Sequence, residues 1–262
     1  MTELKSKRLF LLDMDGTIYL DTALFDGTTD LLNHIKAIGG RYLFLTNNSS
    51  KSVDSYIEKL GKMGICAAAS DFYTSVDATV RYLASVPPYK KIYAFGTASF
   101  KEQLCSSGLN ITSSLSDDVD CLLMGFDTEL TFQKLEDACI LLGRGVDYIA
   151  TNPDWVCPTR YGYVPDCGSV AEMLKKATGR TPRFIGKPRP DMVISAMEKA
   201  GFSPEETLVV GDRLYTDIAC GVNAGVDTLL VLSGESKLQD IGEIKPTYVM
   251  NDIKELLNAI KA

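Results

Sequence analysis

Two aspartates, two positions apart, close a run of four apolar residues in Leu9-Phe10-Leu11-Leu12-Asp13-Met14-Asp15-Gly16-Thr17. In an extended chain, residues i and i+2 point to one side. Two carboxylates that close repel unless a cation, a shared proton or different surroundings relieve them. Three more apolar runs end in polar groups. Tyr42-Leu43-Phe44-Leu45 runs into Thr46-Asn47-Asn48, Arg183-Phe184-Ile185-Gly186 into Lys187, and Thr207-Leu208-Val209-Val210-Gly211 into Asp212. The chemistry that needs this set is phosphoryl transfer. A carboxylate can attack phosphorus. A hard divalent cation held by carboxylates offsets the repulsion between acid and phosphate. A lysine stabilises the transferring group, and hydroxyl, amide and backbone N–H groups cradle its oxygens.

The elements that must position these groups are short buried strands alternating with helices. Continuous apolar runs of four or five residues suit strands covered on both faces of a parallel sheet, and such a sheet collects its ligands at the carboxyl ends of its strands. Apolar residues recur at helical spacing over residues 28–38, 53–63, 191–200, 216–224 and 253–260, and glycines 39–40, 64 and 201 stop three of these helices. The segment 18–25 is too short and mixed for a helix and suits a compact loop or hairpin. Val86-Pro87-Pro88 punctuates the chain. Beyond it lies a second alternation of strands (91–96, 110–112, 119–124, 148–150) and helices (99–104, 131–142, 169–177) that reaches Thr181-Pro182. The predicted organisation is an α/β core made of residues 1–86 and 181–262, interrupted by an inserted α/β domain over 87–180.

Composition narrows the field. The 262 residues suffice for a sizeable core, with 45% hydrophobic and 23% charged residues, which is ordinary for a globular chain. A net charge of −7 without a basic run argues against a nucleic-acid polymer as partner. The seven cysteines form no CxxC pair and are odd in number, and His34 is the lone histidine. A zinc site or disulfide scaffold is therefore not expected, and the cysteines suit packing in a reducing compartment. No run approaches a membrane span and no signal-peptide pattern opens the chain, so the expected location is cytoplasmic.

These motifs resemble those of the haloacid dehalogenase-like phosphatases. Asp13-Met14-Asp15-Gly16-Thr17 matches their DxDGT first motif, and Thr46-Asn47-Asn48-Ser49 is similar to the second motif of the class IIA branch. Lys187-Pro188 resembles the third motif, and Gly211-Asp212-Arg213-Leu214-Tyr215-Thr216-Asp217 the fourth, GDxxxTD. Thr151-Asn152-Pro153-Asp154 with Pro158, Gly168 and the helix after it, and residues 221–225 extend the likeness over nearly the whole chain. The resemblance implies a Rossmann-like parallel-sheet core with an inserted α/β cap, Mg²⁺ as cofactor, and a small phosphorylated metabolite as substrate. It implies Asp13 as nucleophile and metal ligand, and Asp15 as acid and base with its backbone carbonyl on the metal. Asp212 is a further ligand, and Asp217 belongs to the metal site as an outer orienting group. Gly16, Thr17, Thr46, Asn47, Asn48 and Lys187 bind the phosphoryl group. In such relatives the cap lines the substrate pocket, for which Asp154, Trp155 and Arg160 are the candidates, and it is a plausible homodimer surface.

Each residue also has a plainer role when taken singly. Lys187 suits a solvated loop, Asp212 a helix start, Thr46 and Ser49 N-caps, Asn47-Asn48 a turn, Asp217 an exposed helix face, Trp155 packing and Arg160 the surface. Their joint placement behind buried strands favours the enzyme. The alternatives are a phosphotransferase or mutase using the same intermediate, and a weakly active phosphometabolite-binding regulatory protein.

Overall fold

A computed structural model describes residues 4–159 and 162–261. The chain divides into two compact units. One comprises residues up to Thr46, Val53–Tyr73 and Lys187 onward; the other comprises Asn47–Ser52 and Thr74–Gly186.

The first unit is built on a six-stranded sheet. Its order is Tyr248–Met250, Asp227–Val231, Thr207–Gly211, Leu9–Leu12, Arg41–Thr46, Phe72–Thr74. The strand Leu9–Leu12 is central, pairing in parallel with Thr207–Gly211 on one side and Arg41–Thr46 on the other. All four of its residues are fully buried, as a strand covered on both faces requires. The strands Asp227–Val231 and Tyr248–Met250 continue the parallel pairing. Asp13, Thr46, Asp212 and the turn after Val231 therefore leave the sheet at the same rim. Helix Ile253–Lys261 buries Ile253, Leu256, Leu257 and Ile260, the i, i+3, i+4, i+7 face that its sequence prescribes. The segment predicted as a loop or hairpin is a hairpin, with Tyr19–Leu20 antiparallel to Ala23–Leu24.

The stretch 216–224, expected to be one helix, begins instead with a wide π-helical turn, Leu214–Ile218, before the α-helix Ala219–Ala224. The Ile218 N–H reaches back to the Arg213 carbonyl (3.2 Å). The Asp217 carboxylate accepts the Arg213 N–H (3.1 Å), which fixes the turn's opening. Gly211 makes room for it: a Cβ there would lie 2.2 Å from the Asp217 Cβ.

The second unit has its own five-stranded sheet, ordered Arg183–Phe184, Asp147–Ala150, Cys121–Met124, Ile92–Phe95, Ile111–Thr112, with every pairing parallel. Helices Ala98–Ser106, Phe132–Gly143 and Cys167–Thr178 are capped at their N-termini by Thr97, Thr131 and Asp166. Its core gathers Tyr93, Phe95, Leu122, Met124, Leu141 and Leu174. Arg183–Phe184 pairs in this sheet, although the sequence grouped it with the residues after Pro182. An antiparallel ribbon, Val156–Thr159 with Gly162–Pro165, is an element that the sequence reading lacks.

Candidate active site

The apolar pressure that buries Leu9–Leu12 and Thr207–Gly211 delivers Asp13 and Asp212 side by side, because the two strands pair in register. The π-helical turn brings Asp217 to the same place. One carboxylate oxygen from each of Asp13, Asp212 and Asp217 lies within 4.8 Å of the other two. The Lys187 ammonium donates to Asp13 Oδ1 (2.7 Å), Asp217 Oδ1 (2.6 Å) and the Leu45 carbonyl (3.1 Å). The Lys187 and Asp217 side chains are 4% and 2% exposed, whereas Asp13 is 17% exposed. Asp13 is thus the member of this trio that a solvent-borne reactant can reach.

Three carboxylates against one ammonium leave two negative charges in excess. The consequence shows in the protonation equilibria. Burial, then the neighbouring Asp217, raises the Asp13 carboxyl well above the carboxylate range, and Lys187 opposes the shift only in part. Asp212 is pushed up to about 7, chiefly by burial and then by Asp217. Burial works against the charge of Lys187, but Asp13 and Asp217 overcome it and hold the ammonium protonated. The residues fit a divalent cation. Asp212 Oδ2 accepts the Glu235 N–H (2.7 Å), while Asp212 Oδ1 is buried with no hydrogen-bond partner. An oxygen-only donor set with an orphaned carboxylate oxygen suits a hard ion such as Mg²⁺.

Asp15 lies outside the trio Asp13, Asp212 and Asp217. Its side chain is 47% exposed, with Lys59 Nζ 3.6 Å from Oδ1. The Tyr19 hydroxyl donates to Oδ2 (3.0 Å), and Lys59 Nζ sits 3.8 Å above the Tyr19 ring. Gly16 takes φ +85°, and a Cβ on it would lie 2.5 Å from Asp212 Oδ2, so both the backbone and the space require glycine. Thr17 is fully buried and its Oγ1 has no hydrogen-bond partner; Thr46 is buried at the strand end.

The other sequence candidates lie in the second unit. Asn47 is buried and its amide donates to Asp154 Oδ1 (3.0 Å), while its carbonyl accepts from Ser75 Oγ (2.7 Å) and Asn152 Nδ2 (2.9 Å). Asn48 Oδ1 accepts the Ser50 N–H (2.9 Å) and hydroxyl (2.7 Å). Asp154 is buried and Trp155 is 55% exposed. Arg160 lies outside the described residues. Gly168 permits the close pass of Pro153, whose carbonyl oxygen would be 2.2 Å from an added Cβ. The sequence reading missed Tyr19 and Lys59 beside Asp15, and Ser233 and Glu235 beside Gly16 and Asp212. The last two follow the strand Asp227–Val231, so the rule that found Asp212 also points to them.

The sequence matches the family described as haloacid dehalogenase-like hydrolase over residues 10–110, and a second, HAD-hydrolase-like family over 184–256. An acid sugar phosphatase of Staphylococcus aureus is 34% identical over 256 residues, covering 97% of this chain and 98% of that protein. The crystal structure of a 4-nitrophenylphosphatase from Thermotoga maritima superposes with a TM-score of 0.93 at 39% identity, covering 98% of this chain and 99% of the other. A glycerol phosphate phosphatase from Mycobacterium tuberculosis in complex with magnesium gives 0.90 at 30% identity, over 97% of this chain and 77% of that one. Likeness of this extent, joined to the aspartate cluster, makes the chain a hydrolase: it belongs to the haloacid dehalogenase-like hydrolases, among their class II, cap-type phosphatases.

Proposed function

We propose that the protein is a Mg²⁺-dependent phosphomonoester hydrolase for a small phosphorylated metabolite, working through an aspartyl-phosphate on Asp13. The observation that carries this reading is the Asp13–Lys187–Asp217 arrangement, in which an accessible carboxylate is oriented by a buried ammonium. Asp13 Oδ attacks phosphorus and the alcohol oxygen leaves. Asp15 gives that oxygen a proton, then takes one from the water that opens the aspartyl-phosphate. Lys187 orients Asp13 and neutralises charge developing on the phosphoryl oxygens. Thr46, with Asn47 and Asn48 after it, Gly16 and Thr17 are assigned to those oxygens. Asp13, Asp212, the Asp15 carbonyl and Asp217, the last from the outer shell, would hold Mg²⁺, which supplies Lewis-acid polarisation of the phosphoryl group.

The named relatives act on sugar phosphate, nitrophenyl phosphate and glycerol phosphate, which supports a compact phosphomonoester as substrate. Residues 87–180 are assigned as the cap, with Asp154, Trp155 and Arg160 as its substrate contacts. Seven cysteines that form no disulfide suit a cytoplasmic setting. Among the described residues no helix is long and apolar enough to cross a membrane. A homodimer belongs to the same reading and is tested by sedimentation equilibrium.

The decisive experiment is a screen of phosphorylated metabolites with Mg²⁺ and with chelator, using Asp13→Asn as the blank. Phosphate release that needs Mg²⁺ and vanishes in the variant is expected. Release that survives in Asp13→Asn sinks the covalent route, and no release from any substrate sinks the enzyme assignment.

A further inference from the structure

The turn Ser233-Gly234-Glu235, which follows the strand Asp227–Val231, touches the acid cluster at several points. The Glu235 N–H donates to Asp212 Oδ2 (2.7 Å), and the Ser236 N–H to the Asp212 carbonyl (3.1 Å). Ser233 Oγ donates to the Gly16 carbonyl (2.8 Å), tying the turn to the first motif. Ser236 Oγ accepts the Leu214 N–H (3.1 Å). Gly234 lies flat against the carboxylate. A Cβ on it would be 2.0 Å from Asp212 Oδ2, 2.5 Å from Cγ and 2.6 Å from Cβ. Because the Asp212 Cβ is bonded to the backbone, rotating that side chain cannot relieve the contact.

Gly234 is not among the residues of positive φ, so a chain reversal alone does not call for glycine there. What calls for it is room. Gly16 also crowds this carboxylate, with its own Cβ position 2.5 Å from the same oxygen. The carboxylate of Asp212 thus sits in a slot lined by two glycines. One oxygen is taken by a backbone N–H and the other, Oδ1, is left without a partner.

We propose that Ser233, Gly234 and Glu235 form a positioning element of the cation site, which selects the Asp212 oxygen offered to the ion. The inference rests on the cation binding assigned under Proposed function. Occupying the slot displaces Asp212 or the turn, and cation affinity falls without loss of the fold.

The test is a Mn²⁺ titration of the full chain, following the free-ion signal by electron paramagnetic resonance. Wild type, Gly234→Ala and Gly242→Ala are compared, and circular dichroism confirms folding. Gly242 has no atom within 4 Å of an added Cβ and serves as the control. Wild type and Gly242→Ala should bind alike, and Gly234→Ala should bind about 10- to 100-fold more weakly, the range for losing a residue that orients a ligand. If Gly234→Ala does not fold, Ser233→Ala takes its place, with a weakening of about threefold or more expected from the loss of one hydrogen bond. Equal affinity in the folded variant overturns the role of the turn while leaving the cation site standing. A wild type that binds no Mn²⁺ overturns the cation site and this inference together.

Discussion

Each unit of the protein sets a shielded lysine against aspartate, and the two treat it differently. In the second unit, Lys134 donates to Asp127 Oδ2 (2.7 Å) and to the carbonyls of Gly96 (3.2 Å) and Glu129 (3.0 Å). The other Asp127 oxygen accepts the Glu129 N–H (2.9 Å). One cation meets one anion and each has hydrogen-bond partners. In the first unit, Lys187 likewise uses three acceptors, but two are carboxylates and a third carboxylate, Asp212, stands beside them. That cluster is over-charged and leaves an oxygen orphaned. A balanced buried pair holds a structure together, although a pair of that kind contributes little net stability. An unbalanced one is destabilised until something positive arrives, and this is the electrostatic mark of a site.

The comparison breaks most visibly by deleting the two lysines. On the proposed function, Lys187→Met should lower kcat by about 10²–10³-fold, the cost of losing the charge assigned to the transferring group. Lys134→Met should leave kcat per folded molecule unchanged and destabilise the protein by about 3–5 kcal/mol, the cost of stranding a buried partner. Steady-state kinetics and urea unfolding on both variants decide it. Equal loss of turnover in both would mean that the contrast is false.

Cation binding separates the clusters next. Mg²⁺ at about 100 times its Kd should stabilise the protein by about 2.7 kcal/mol through mass action. Asp212→Asn should lose most of this gain, and Asp127→Asn should keep it. Thermal melts with and without Mg²⁺ read the effect directly. A gain that persists in Asp212→Asn would place the ion elsewhere.

The pH response is smaller. Without divalent ions, burial and Asp217 push Asp212 up to about 7, while an unfolded aspartate titrates near about 3.9. Between those values the folded form binds the extra proton, so stability falls as pH rises from about 4 to about 7. Wild type in chelator should therefore lose stability across that window relative to Asp212→Asn, and Mg²⁺ should flatten the difference. Parallel melting curves for the two proteins across the window would contradict the burial argument.

Much of this site was legible in the sequence because its members follow apolar runs. Leu9–Leu12 and Thr207–Gly211 are strands where the continuous apolar runs put them, so Asp13 and Asp212 had to leave one rim together. Asp217 was placed on a helix by the same patterning, and only the wide turn at Leu214–Ile218 shows how it reaches Lys187. The ribbon Val156–Thr159 with Gly162–Pro165 escaped notice because it is short, carries Pro158 and Pro165, and lacks a buried alternation; the whole second strand is exposed. The turn at Ser233–Glu235 follows an apolar run as Asp212 does, but its contacts to Asp212 are made by the Glu235 N–H and by the missing side chain of Gly234, which residue type alone does not advertise. Asn47 was legible as polar and strand-terminal, but its bond to Asp154, over a hundred positions later in the chain, is a product of tertiary packing.

The finest distinction concerns the acid outside the trio. Asp15 is held from one side by the Tyr19 hydroxyl and from another by Lys59, which itself rests on the Tyr19 ring. Its side chain is 47% exposed against 17% for Asp13, so losing one hydrogen bond costs only about 1 kcal/mol, roughly a fivefold change in rate. Tyr19→Phe removes that bond and keeps the ring under Lys59. If the hydroxyl orients Asp15 toward the departing oxygen, the loss depends on how much that oxygen needs a proton. Turnover of an alkyl phosphate should fall about fivefold, and turnover of nitrophenyl phosphate, whose leaving group departs readily as an anion, should fall less. An equal loss on both substrates would assign Tyr19 to packing of the hairpin and leave Asp15 to orient itself.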